Sequence, residues 1–169
     1  HGTGKIVSFE PVLDNFLRLS ENTKNFVPGV AAINCAAWRC DQDGSIINCA
    51  MDQGAMHSAG YTLMHNTGTP VQARSFDKLV EPYLVDRIRF LKLDCEGAEF
   101  PILYTTKLLP RIDEIAIEYH EKADLCAEAM AHNAPPYTGE ALAQFLNDNG
   151  FAVELVQKCT GLGMIFAKK

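Results

Sequence analysis

The chain has 169 residues, 47% of them hydrophobic and 21% charged, which is one ordinary globular domain with material for a full core. A formal net charge of −6 without a basic stripe excludes nucleic acid as the main partner. The longest nearly apolar run, Val30 to Trp38, is about half the length a membrane-spanning helix needs, so no membrane partner is expected. The six cysteines show no CxxC spacing and no Asn-x-Ser/Thr sequon occurs; a reducing, cytoplasmic setting without structural zinc fits this usage.

Lys5 to Phe9 is a short β-rich run stopped by Glu10-Pro11, because proline cannot continue a central strand. Leu13, Phe16 and Leu17 recur at helical spacing and predict a helix to about Glu21. A second strand is expected over Val30 to Trp38. Strand, helix, strand is the parallel crossover of α/β folds. Asp41-Gln42-Asp43-Gly44 is a turn signal, and strands are expected at Ser45 to Met51, Tyr61 to His65 and Val71 to Arg74. Residues 40–75 therefore read as a small antiparallel insertion, followed by a short helix over Phe76 to Leu84.

The most informative stretch is Leu91-Lys92-Leu93-Asp94-Cys95-Glu96-Gly97-Ala98-Glu99. The run Ile88 to Leu93 predicts a strand that delivers Asp94 to its C-terminal edge, with a tight turn into a helix. In open α/β sheets ligands bind outside this edge. Pro101 suits a helix's first turn, and Ile102, Leu103, Thr106 and Leu109 extend the expected helix to Pro110. Glu114 to Glu118 predicts another strand, ending at Tyr119-His120. Residues 121–132 read as helical, and 121–137 as a lid facing the substrate. Thr138 is the expected cap of a helix carrying Ala141, Leu142, Phe145 and Leu146 on one face, with Gly150 just past its end. Phe151 to Val156 and Leu162 to Ala167 predict a terminal β-hairpin. Three strand ends, carrying Glu10, Asp94 and Glu118/His120, are expected to form one site.

The order predicts an α/β fold, a mostly parallel sheet finished by an antiparallel hairpin, as in Rossmann-like class I S-adenosylmethionine-dependent methyltransferases. Val7-Ser8-Phe9-Glu10-Pro11, Ala36-Ala37-Trp38, Phe90 to Glu99 and Ile117-Glu118-Tyr119-His120, in this order, resemble the FkbM family of methyltransferases over nearly the whole chain. The resemblance implies S-adenosylmethionine as cofactor and O-methylation of a hydroxyl on a sugar or small metabolite. The family's first strand and glycine-rich loop have no counterpart ahead of Lys5, and Gly2-Thr3-Gly4 is too short to replace them. Residues 1–169 thus read as a single domain, N-terminally truncated, and weak cofactor binding is the expectation.

The resemblance implies that Glu10 accepts hydrogen bonds from the cofactor's ribose and that Ala36 and Ala37 lie near its adenine. The plain alternatives are an exposed strand-end carboxylate and ordinary core filling. Asp94 would orient the acceptor hydroxyl or offset the sulfonium charge; otherwise Asp94 or Glu96 caps the next helix, a role expected above all for Glu99. Glu118 and His120 share a strand face. Histidine suits general-base work near neutral pH, so His120 is the expected base, oriented by Glu118 or Asp94. Methyl transfer needs no metal. The rival readings are a non-catalytic remnant or interaction module, and a metal-dependent hydrolase using Asp94, Glu96, Glu118 and His120. A nicotinamide dehydrogenase fits less well, because no GxGxxG precedes Glu10.

Overall fold

The computed structural model describes residues 4–26, 29–51, 61–63, 68–84, 86–121, 130 and 133–169. Contacts divide the chain into two units, His1–Tyr83 and Leu84–Lys169.

In the first unit, β1 (Ile6–Phe9) lies parallel to β2 (Val30–Ile33), and α1 (Leu13–Thr23) with a 3-10 turn (Lys24–Phe26) connects them. This is the expected crossover. Pro11 ends β1 on schedule, and Glu10 supplies what Val12, the residue capping α1, lacks: its Oε1 accepts the Val12 N–H at 2.8 Å. A second sheet contains β3 (Ala36–Trp38), β4 (Ile46–Met51), β5 (Tyr61–Leu63) and β6 (Thr69–Ser75), in the order β3-β6-β4-β5. The β4 pairings are antiparallel, as the insertion predicted, but β3 joins β6 in parallel. The helix α2 (Phe76–Val80) follows, capped by the Ser75 hydroxyl, and a 3-10 turn (Glu81–Tyr83) completes the predicted segment.

The single strand expected over Val30 to Trp38 is corrected to two strands in two sheets. The break falls at Asn34-Cys35. Asn34 Nδ2 donates to the carbonyls of Glu10 and Pro11 at 2.8 and 3.0 Å, and the Cys35 N–H turns back to Ile33 O. An asparagine side chain that satisfies backbone carbonyls competes with the ladder and redirects the chain.

The second unit holds one four-stranded sheet, order β7-β8-β10-β9, built from β7 (Ile88–Leu93), β8 (Ile112–His120), β9 (Ala152–Cys159) and β10 (Leu162–Lys168). β7 and β8 are parallel, joined through α3 (Glu99–Thr105) and a 3-10 turn (Leu109–Arg111); β10 is antiparallel to β8 and β9. The helix expected to run on to Pro110 stops at Thr105. Thr106 takes up an extended backbone and its hydroxyl accepts the Leu108 N–H. Among the described residues, β1 pairs only with β2 and β7 only with β8.

One face of β8, with Ile115, Ile117 and Tyr119, packs under α3 and α4 (Gly139–Asp148), against Phe100, Leu103, Leu142 and Leu146. Each such side chain contributes roughly 1.5–3 kcal/mol on burial. Thr138 caps α4 by accepting the Ala141 N–H, Glu121 Oε1 accepts the Gly139 N–H at 2.8 Å, and Gly150 ends the helix at φ +85°. The Tyr119 ring lies between Gly139 and Gly163, each of which would collide with it if given a Cβ. The opposite sheet face exposes Phe90 and Phe166.

The predicted helix over 121–132 and most of the lid over 121–137 lie outside the described residues. Among the described residues no helix is long and apolar enough to cross a membrane. Cys35, Cys49, Cys95 and Cys159 carry free thiols.

Candidate functional site

The C-terminal edge of β7 and β8 gathers the chemistry of the second unit. The parallel register sets Leu93 beside Ile117, so the residues that follow each strand emerge together. After Asp94 the chain turns sharply: Glu96 has φ +54° and Gly97 φ +107°. Glycine takes this conformation freely, whereas for Glu96 it costs on the order of 1 kcal/mol.

What holds the turn is Glu99. Its side chain is fully buried, and its carboxylate folds back over the turn. Oε1 accepts the Cys95 N–H at 2.7 Å and Oε2 the Gly97 N–H at 2.8 Å. A buried carboxylate is costly unless hydrogen bonds satisfy it. The third partner comes from β8: His120 Nδ1 lies 3.3 Å from Glu99 Oε1. The capping role expected of Glu99 is not the one it plays: α3 begins at Glu99 with Ala98 at its cap position and no side-chain cap bond, and the Glu99 carboxylate instead ties the preceding turn to a neighbouring strand.

His120 is mostly buried, and its Nε2 faces Glu96 Oε2 at 3.8 Å. Burial disfavours its charged form, but the Glu99 hydrogen bond and the charges of Glu99, Glu96 and Asp94 outweigh it and raise the imidazole above its ordinary pKa. Asp94 is more exposed and pairs with Lys92 at 3.3 Å. Glu118 shares the face of His120, but Lys158 of β9 holds its carboxylate at 2.9 Å and, ahead of a small burial effect, lowers its pKa. The carboxylate on the ring nitrogen is thus that of Glu99, not of Glu118 or Asp94. The Cys95 thiol is pushed well up by burial and then by Glu99 and Asp94, which makes it a poor nucleophile.

In the first unit, Glu10 is half-buried at the end of β1. Burial raises its pKa, against the lowering effect of the Val12 N–H and the Asn15 side chain. Ala36 is buried and Ala37 half-buried; both stand in β3, at the start of a new strand rather than at the end of β2. Among the described residues, no three His, Cys, Asp or Glu side chains are arranged to hold a metal ion. The hydrolase reading gains no support from that geometry.

The family model of the methyltransferase FkbM domain matches residues 1–153. The chain belongs to the FkbM methyltransferase family. No curated protein and no solved structure matches it. The match takes in the Glu10, Asp94 to Glu99 and His120 segments and ends just inside β9. Within this FkbM domain the contact that sequence reasoning missed is Glu99 to His120. The strand register and the run of acids after β7 were its only signal.

Proposed function

We propose that this FkbM methyltransferase transfers a methyl group from S-adenosylmethionine to a hydroxyl oxygen of a sugar or small metabolite, on a Rossmann-like sheet. The observation that carries the reading is His120 at the β8 edge, with one ring nitrogen tied to a buried carboxylate. The parallel unit β1-α1-β2 in one sheet and, in another, the parallel unit β7-α3-β8 closed by the antiparallel β9-β10 hairpin support the class I assignment.

The residues present suit the cofactor. An ionised carboxylate offers about four lone-pair sites, and the bonds to Val12 and Asn15 leave Glu10 with capacity for ribose hydroxyls. Ala36 and Ala37 present little bulk to a flat adenine ring. S-adenosylmethionine supplies an electrophilic methyl on a sulfonium, which departs as a neutral thioether. His120 takes the acceptor's proton at Nε2 while the oxygen–methyl bond forms. The negative charges of Asp94 and Glu96 stabilise the imidazolium that forms on His120 as it takes the proton.

Hydrogen bonds to a charged group contribute roughly 1.5–3 kcal/mol, so Glu10→Gln is expected to weaken cofactor binding about 10- to 150-fold. Calorimetric titration with S-adenosylmethionine checks this. Unchanged affinity removes Glu10 from the site; absence of binding by the parent protein contradicts the methyltransferase reading.

A further inference from the structure

Glu99 is fully buried, so it cannot itself reach an acceptor molecule. Yet it is fixed firmly in place. Both of its oxygens accept backbone N–H groups, from Cys95 and Gly97, and the turn between those groups passes through two residues with positive φ. The backbone thereby sets the carboxylate, and the carboxylate meets His120 at Nδ1. A neutral imidazole carries one N–H, and a hydrogen bond made by one nitrogen decides the role of the other.

We propose that Glu99 is a positioning residue: its carboxylate makes Nδ1 of His120 the hydrogen-bond donor and leaves Nε2, on the side of Glu96, as the proton acceptor. This rests on the base role proposed for His120. Among the described residues, Asp94, Glu96 and Glu99 from the turn, and Glu118 on the same strand, are the charged groups facing the ring. Of these, Glu99 alone sits within 3.5 Å of a ring nitrogen. A role limited to holding the turn would leave the tautomer open. Glu99→Gln removes the charge beside Nδ1; with its amide oxygen on the Gly97 N–H, the NH₂ gives up the Cys95 bond, presents a donor to Nδ1 and favours the opposite tautomer.

The test is a long-range ¹H–¹⁵N correlation spectrum of the intact protein across pH, with His120 assigned by His120→Gln. The expected result is an Nδ1–H tautomer once His120 is neutral. Glu99→Gln is expected to switch it to Nε2–H and to lower its titration midpoint by about one pH unit or more. An Nε2–H tautomer in the parent protein overturns the proposal, and so does a folded Glu99→Gln with tautomer and midpoint unchanged. Should Glu99→Gln fail to fold, the parent spectrum alone decides. Cofactor titration of the same samples separates failure of the methyltransferase reading from failure of this one, because the tautomer is read without ligand.

Discussion

The two units of the chain each combine strands with helices, but they are held differently. The second has a continuous core, from Leu93 through Ile117 and Leu146 to Ala167, with α3 and α4 over one face of its sheet. The first buries a scatter of groups, such as Cys35, Ala36, Trp38, Ala73 and Phe76, and its helix α1 has no buried residue. Its turns rest on polar contacts instead: Asn34 on two carbonyls, Glu10 on Val12, and Asp43 on Lys78, Arg74 and the Ser75 N–H. Apolar burial is cooperative and insensitive to pH, whereas polar clamps are local and those made by carboxylates titrate. The contrast is open to direct attack.

The largest effect is expected at the centre of the second unit. Ile117 is fully buried between α3 and α4, and Ile117→Ala should cost about 2–5 kcal/mol, measured by urea denaturation. A loss below 1 kcal/mol would mean that the core is loosely packed.

A smaller effect separates the units by the sign of their pH response. The folded-state pKa of His120 is raised, so its contribution to stability is complete below the unfolded value of about 6.5 and is lost as pH rises through the folded value. His120→Gln should therefore destabilise the protein more at about pH 5 than at about pH 9. Asp43, in the first unit, runs the other way. Its carboxyl is held down at about 2, chiefly by Lys78, so what it contributes is present at neutral pH and lost in acid. Thermal denaturation at both pH values reads the His120 difference, and equal losses would contradict the Glu99–His120 pairing.

The smallest effect is expected on α1. Leu17 is 55% exposed, and Leu17→Ala should change stability by no more than about 0.5 kcal/mol. A loss of 2 kcal/mol or more would show that α1 has a covering partner in solution.

The same contrast governs what the sequence made legible. Where apolar period and punctuation agree, the elements were readable: β1 stops at Pro11, α4 runs from the Thr138 cap to Gly150, and the hairpin turns at Gly161. Polar diversions were not. Asn34 sits inside an apolar run, and nothing local says that its side chain will bond carbonyls more than twenty residues earlier. Thr106 ends α3 in the same hidden way. At the β7–β8 edge the acids and the histidine could be placed by strand faces. The link between Glu99 and His120, 21 residues apart, needed the parallel register and the left-handed turn at Glu96-Gly97 to become visible.

The role assigned to His120 is to act on the proton of the methyl acceptor. Its most direct test measures transfer of labelled methyl from S-adenosylmethionine to a panel of sugar and small-metabolite hydroxyls, for the parent protein and His120→Ala, with cofactor affinity determined on the same samples. Loss of a general base lowers turnover by about 10²–10⁴-fold. That loss is expected with cofactor affinity nearly intact; affinity and turnover falling in parallel would remove His120 from the proton transfer.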